Sequence, residues 1–184
     1  MVRKLNLGCG RDIKQGFINL DSIKLPGVDV VHDIENLPLP FSNEEFDEIL
    51  CQDVLEHIKY IPVLKDLHRI LKTRGKLSIR VPHFTSKGNY IDPTHKKKFS
   101  IYTFGMFAEN SPISKSKERE YYFDFRFDSV SSVKITFDRS SRWFFYNRVI
   151  GPLVNLNKTT QFLYESTGWC YSFPAQNIEI ELIK

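Results

Sequence analysis

The 184 residues are 41% hydrophobic and 26% charged, the balance of one globular domain, which excludes a disordered chain, a collagen-like repeat and a membrane protein. The formal charge of +4 is spread over both halves without a basic lobe, which argues against a protein that tracks nucleic acid. Three widely spaced cysteines (Cys9, Cys51, Cys170) and a start without an apolar signal core lead to the expectation of reduced thiols in a cytoplasmic protein.

In chain order, short apolar runs alternate with turn and helix signals, the pattern of an α/β fold with a parallel sheet. Residues 2–7 predict a strand ending in Gly8-Cys9-Gly10, residues 17–20 one ending at Asp21, and residues 28–32 one ending at Asp33. A fourth, over 46–51, runs into Gln52-Asp53. Leu64, Leu67, Ile70 and Leu71 then recur at helical spacing, with Lys72, Arg74 and Gly75 as C-terminal cap chemistry. Residues 76–81 predict a fifth strand stopped by Pro82. Beyond it, 85–120 predict loop and short helix, 121–137 a strand or hairpin, 143–173 helix-compatible aromatic patches, and 178–183 a final strand. Aromatic residues are unevenly placed: six of the 25 precede residue 99, so the second half is built for a different task.

Four strands in succession end in small or polar residues. In an open parallel sheet those ends share one edge, where ligands bind. A glycine pair at such a turn brings backbone N–H groups close to a ligand, and an acidic residue ending the next strand can accept from both hydroxyls of a ribose. A dinucleotide G-x-G-x-x-G turn would need glycine where Ile13 stands, and its acidic residue would lie about 20 positions on, whereas Asp21 follows Gly10 by 11. No P-loop sequence occurs. Both nucleotide readings are therefore disfavoured.

Read together, LNLGCG (5–10), INLD (18–21), HDIENLPLPF (32–41), FDEILCQDVLEHI (46–58) and LHRILKTRGKLSIRVPHF (67–84) resemble the successive motifs of class I S-adenosylmethionine-dependent methyltransferases, and most of all the small methyltransferase-11-like group. The closing NIEIELIK is similar to the last, antiparallel strand of that fold. The resemblance implies a three-layer Rossmann-like sheet of order 3-2-1-4-5-7-6 and S-adenosylmethionine as cofactor. It implies that the backbone of Gly8, Cys9 and Gly10 cradles the methionine part. Asp21 would hold the ribose hydroxyls and Asp33 the adenine amino group, with the Ile34 amide beside it. Gln52 would face the methionine amine, and Val54 and Leu55 would line the pocket. Two positions depart from the family pattern: Asn6 stands where an acidic residue is frequent, and Asp12 where a third glycine is usual. Residues 11–16 are also too few for a full crossover helix, so a single helical turn or none is expected there.

Methyl transfer needs an oriented acceptor, exclusion of water and, for many acceptors, a base. His57, His83 and His95 are the catalytic candidates beyond the fourth and fifth strands. Asp92 joins His83 and His95 either as part of an acid–base or metal group or as the cap of an Asp-Pro turn. No metal ligand set is assigned. His32 and His68 read as structural. The whole chain reads as one methyltransferase domain: residues 1–84 bind the cofactor, 85–177 supply an aromatic-rich cover that selects the substrate, and 178–184 complete the sheet. The expected acceptor is an O or N atom of a polar small molecule or saccharide. RNA, with Lys87 and Lys96–Lys98 lining the pocket mouth, is the alternative substrate, and a non-catalytic cofactor-binding module the alternative function. A membrane partner is not expected, and the aromatic-rich half is a candidate homodimer face.

Overall fold

Apolar residues at every second position fix the strands of a computed structural model that describes residues 2–111, 122–138 and 144–184, the last segment with side chains from residue 148. β1 (Lys4–Leu7), β2 (Ile18–Asp21), β3 (Val30–Val31), β4 (Phe46–Gln52) and β5 (Leu71–Pro82) are parallel. β7 (Asn177–Ile183) lies antiparallel between β5 and β6 (Ser129–Thr136), giving the order β3-β2-β1-β4-β5-β7-β6. This is the expected order and a mixed α/β Rossmann-like sheet. Of the strand or hairpin expected over 121–137, only the single strand β6 forms, and residue 121 lies outside the described residues.

One face of the sheet is apolar. Leu5, Leu7, Ile49, Cys51, Leu77, Ile79, Ile178, Ile180 and Leu182 are all buried there. α1 (Tyr60–Ile70) packs on it through Val63, Leu64, Leu67 and Ile70, the one-sided stripe of an amphipathic helix. The helix passes directly into β5: Leu71 is already extended (φ −77°, ψ 135°). Lys72, Arg74 and Gly75 are therefore strand residues, a correction to the cap expected from their sequence. Asp66 and Arg69 fasten the β3–β4 connection to this helix, with Asp66 Oδ2 accepting from Leu39 N at 2.9 Å and Arg69 Nη1 donating to Phe41 O at 2.8 Å.

The opposite face is polar and thinner than the expected three layers. Right-handed crossovers that leave the sheet centre in opposite directions lie on opposite faces, so helices joining β1 to β2 and β2 to β3 would cover this side. Neither connection contains a helix. In their place, Lys4–Glu48 (2.7 Å), Lys76–Glu48 (3.6 Å) and Lys76–Glu181 (3.2 Å) form a cross-strand ion-pair ladder.

The aromatic half begins as core. Tyr60 on α1 meets Phe99, Phe104 and Phe107 edge to face, Phe104 stacks on Phe99, and His68 lies against Phe125 and Phe127. Further on, α3 (Phe144–Val154) and α4 (Lys158–Ser166) close the outer edge of β6. Asn155 accepts from Ile135 N (2.9 Å) and donates to Ile135 O (2.8 Å), while Gln161 donates to Val133 O at 2.8 Å. Side-chain amides thus satisfy an edge that would otherwise invite another strand. α2 (Gly88–Ile91), a 3-10 turn at Thr103–Phe107 and α5 (Trp169–Ser172) complete the described elements. Position 143, where the aromatic patch was expected to begin, lies outside them. No helix among the described residues is long and apolar enough to cross a membrane.

Candidate functional site

The carboxyl ends of β1, β2 and β4 bring the glycine turn and the acidic strand ends together. Leu7 pairs with Leu20 and with Cys51, so Gly8, Asp21 and Gln52 follow side by side. Cys9 N donates to Leu20 O (3.0 Å), and Gly10 N donates to Asp21 Oδ2 (2.8 Å). Gly8 (φ +64°) and Gly10 (φ +50°) occupy the left-handed region that disfavours any side chain. A Cβ on Gly8 would stand 2.4 Å from Val54 Cγ2, whereas one on Gly10 would meet nothing within 4 Å. The turn is thus packed on its inner side by Val54 and open on its outer side, next to Asp21.

The helix absent after β1 is replaced by two buried asparagines. Asn6 Nδ2 donates to Asp12 O (2.8 Å) and Asn19 Oδ1 (3.0 Å), and Asn19 Oδ1 also accepts from Lys14 N (2.9 Å). Asn19 N donates in turn to Asp29 Oδ2 at 2.7 Å. An acidic residue at position 6 could not donate to Asp12 O and Asn19 Oδ1. The departure at Asn6 therefore belongs with the shortened loop it holds. Asn19 was not singled out from sequence, and an asparagine inside a strand run was the available signal.

Asp21 receives two backbone amides, Gly10 N and Ile23 N (3.0 Å), and each carboxylate oxygen keeps a lone pair for a further donor. Asp33 is exposed and caps its own turn, accepting from Glu35 N at 3.0 Å, with Ile34 half-buried beside it. Asp53, also in the left-handed region, is clamped by the Arg80 guanidinium on β5.

Of the three candidate histidines, His57 and His95 meet and His83 does not join them. His57 and His95 stand ring to ring with centroids 4.7 Å apart, and Asp92 Oδ2 lies 3.6 Å from His95 Nε2. Burial, followed by the neighbouring His95, holds the His57 pKa below its ordinary value. Glu56, which sequence reasoning passed over, is buried beside them, and desolvation pushes its carboxyl up to about 7. His83 is fully buried: Nδ1 pairs with Thr85 Oγ1 (2.7 Å) and Nε2 with Glu165 Oε1 (3.1 Å), and the ring packs on Phe84 and Tyr164. Both ring nitrogens are occupied and no surface is open, so the catalytic assignment of His83 is corrected to a packing and bonding role. His32 is bound to Asn36 O at 2.8 Å, and His68 lies within the aromatic core.

All three cysteines are buried, and burial is the largest cause raising each thiol pKa, aided by Asp21 at Cys9, Glu56 at Cys51 and Glu165 at Cys170. Since the thiolate is the reactive form, a chromogenic thiol reagent at pH 8 should label none of the three on the timescale that labels all of them in denaturant. A native thiol reacting as fast as a small-molecule thiol would contradict the placement.

Residues 5–79 match the model of a family described as "Methyltransferase domain". An uncharacterised protein of Methanocaldococcus jannaschii is 49% identical over 107 residues, covering 47% of this chain; the chain spans about half (48%) of that relative's length. Among solved structures, a SAM-dependent methyltransferase from Archaeoglobus fulgidus aligns over all of this chain and 86% of its own, with TM-score 0.59 and 21% identity. In a complex between the Haloferax volcanii Trm112 methyltransferase activator and a methyltransferase, one chain aligns over 99% of this chain and 84% of its own, at TM-score 0.54 and 14% identity. Phosphoethanolamine N-methyltransferase 2 of Haemonchus contortus, in complex with S-adenosyl-L-methionine, aligns over all of this chain and 48% of its own, at TM-score 0.52 and 16% identity. The strand order and the glycine turn fastened to Asp21 agree with these likenesses: residues 5–79 resemble a methyltransferase domain, and the chain has the fold of the solved S-adenosylmethionine-dependent methyltransferases.

Proposed function

We propose that the chain transfers a methyl group from S-adenosylmethionine to an O or N atom of a polar small molecule or saccharide. The observation that carries this is the open-sided glycine turn hydrogen-bonded to the acidic end of β2, with room where a Cβ on Gly10 would stand. These residues fit the cofactor: carboxylates at positions 21 and 33 suit a cationic ligand rich in hydrogen-bond donors. When bound, S-adenosylmethionine supplies the electrophilic methyl carbon of a sulfonium. The chain's own part is to hold it and to aim the acceptor. In this reading Gly8, Cys9 and Gly10 hold the methionine end, Asp21 the ribose, Asp33 and Ile34 the adenine, and Gln52 and Val54 the side of the pocket at β4. His57 and His95, which stand ring to ring beyond β4, are the side chains placed to act on the acceptor, taking its proton where no metal holds their lone pairs.

A second reading, an anionic acceptor such as RNA, draws on one observation. Lys96 and Lys97 are exposed on the segment that carries His95, whereas Lys87 is paired with Asp138 (3.1 Å) and Lys98 with the Tyr90 hydroxyl (3.2 Å). Incubation with methyl-labelled S-adenosylmethionine and separate pools of metabolites, glycans and RNA tests both. Label in the first two supports the proposal; label in RNA alone supports the second reading; label in none favours a cofactor-binding module without turnover. A homodimer through α3–α5 is part of the proposal, because Leu153, Leu156, Phe162, Leu163, Trp169 and Tyr171 are exposed there. Sedimentation should then show a dimer that Trp169→Glu shifts to monomer.

A further inference from the structure

Beyond β4 one group of side chains retains unused bonding capacity. Glu56 is 1% exposed and, among the described residues, its Oε2 has no hydrogen-bond partner; His95 Nδ1 is likewise buried without one. One donor atom from each of Glu56, His57 and His95 lies within 4.8 Å of the other two. Orphaned buried polar atoms cost stability, and here two of them belong to side chains that converge. The amides of Lys96 (2.8 Å) and Lys97 (3.2 Å) both donate to Glu56 O, which fixes the His95 segment against this position.

The proton positions are set by one carboxylate. Thr94 has a single hydroxyl hydrogen, which it gives to Asp92 Oδ1 (2.6 Å), so its oxygen accepts from His57 Nδ1 at 2.8 Å. His57 is then protonated on Nδ1, and its Nε2 presents a lone pair. Asp92 Oδ2, 3.6 Å from His95 Nε2, favours the proton on that nitrogen and leaves the orphaned Nδ1 as a lone pair. A carboxylate behind each ring, directly or through a hydroxyl, is how metal-ligating histidines are oriented.

We propose that Glu56, His57 and His95 bind a divalent metal ion of the zinc class through two neutral imidazoles and one carboxylate. Zinc bonds of about 2.1 Å place tetrahedral donors about 3.4 Å apart, so the three side chains draw together by roughly an ångström on binding. Three protein ligands with a fourth position open is the pattern of a catalytic zinc site rather than a closed structural one. Glu56 and His57 follow Gln52 by four and five positions, and Val54 between them touches the glycine turn. If the chain transfers methyl as proposed, the open position would take the oxygen of an acceptor hydroxyl and polarise it.

The test reads the metal without the cofactor. Tag-free, chelator-treated full-length chain is titrated calorimetrically with Zn²⁺, alongside Glu56→Gln, His95→Gln and the remote His32→Gln. The expected result is one equivalent bound by the wild type and by His32→Gln, with affinity at least about tenfold lower in the other two. Co²⁺ loaded into the wild type should also give the visible bands of a four- or five-coordinate ion, a readout that does not depend on any variant folding. No stoichiometric Zn²⁺ binding, equal binding in all four proteins, or a Co²⁺ spectrum of the hydrated ion would overturn the site. Each of these would leave the cofactor reading untouched, because that reading is decided by S-adenosylmethionine binding alone.

Discussion

Replacing Gly8 with alanine should lower the unfolding free energy by about 2–5 kcal/mol and remove most of the affinity for S-adenosylmethionine. Two costs add. The left-handed backbone at φ +64° disfavours a residue with a Cβ by about 1–2 kcal/mol. The new methyl would also lie 2.4 Å from Val54 Cγ2 and 3.3 Å from Cγ1, and forcing extra atoms into a packed site costs about 1–3 kcal/mol. Gly16 provides the control: it also has positive φ (+79°), but a Cβ there meets nothing within 4 Å. Gly16→Ala should therefore show only the conformational cost. Adding Val54→Ala to Gly8→Ala should recover part of the stability by removing the clash. Urea denaturation of the four proteins checks the ordering, and equal losses in Gly8→Ala and Gly16→Ala would contradict it.

Glu165→Ala should be the most damaging single change in the second half of the chain. From α4, the carboxylate accepts from His83 Nε2 (3.1 Å), Ser100 Oγ (2.5 Å) and Ile101 N (2.9 Å), and its side chain is 6% exposed. Truncation leaves three donors without their acceptor, each worth about 1–3 kcal/mol when buried, so a total loss of about 3–5 kcal/mol is expected, in the range found for broken buried pairs. For a chain of this size that lowers Tm by roughly 10 °C. Glu165→Gln keeps one acceptor oxygen and should lose less. A loss below about 1 kcal/mol in Glu165→Ala would show that the α4 contact is not what holds the β5 end in place.

The strand ends were legible because they are local: the glycine turn, Asp21 and Gln52 each close a short apolar-rich run, and the parallel sheet brings such ends to one edge whatever lies between. The missing first helix was legible from length alone. What replaced it was not, since Asn6, Asn19 and Asp29 meet only after β1 and β2 have paired. His83 follows β5 directly, as a catalytic residue could, but its burial depends on Glu165 and Tyr164, more than 80 positions away in sequence. The α1 end misled for a related reason: Arg74-Gly75 has the chemistry of a helix stop, yet the register of β5 against β4, with Leu71 opposite Phe46, takes those residues into the sheet. The aromatic segment concealed two roles under one composition. Phe99, Phe104, Phe107 and Phe127 became core, while Phe162, Trp169 and Tyr171 stand exposed on α4 and α5. Glu56 illustrates the last gap. Nothing in DVLEHI marks its carboxylate as buried, because the segment that covers it, His95 to Lys97, comes some 40 residues later.

In the proposed function the edge formed by Gly8, Gly10 and Asp21 binds S-adenosylmethionine. The most direct measurement is calorimetric titration of the wild type and of Asp21→Ala with S-adenosylmethionine and its demethylated product. Asp21 closes the glycine turn and in the proposed site also accepts from the ribose, so the wild type should bind one equivalent and the variant should lose at least about tenfold in affinity. No binding of either ligand by the wild type, or undiminished binding by a folded Asp21→Ala, would contradict it.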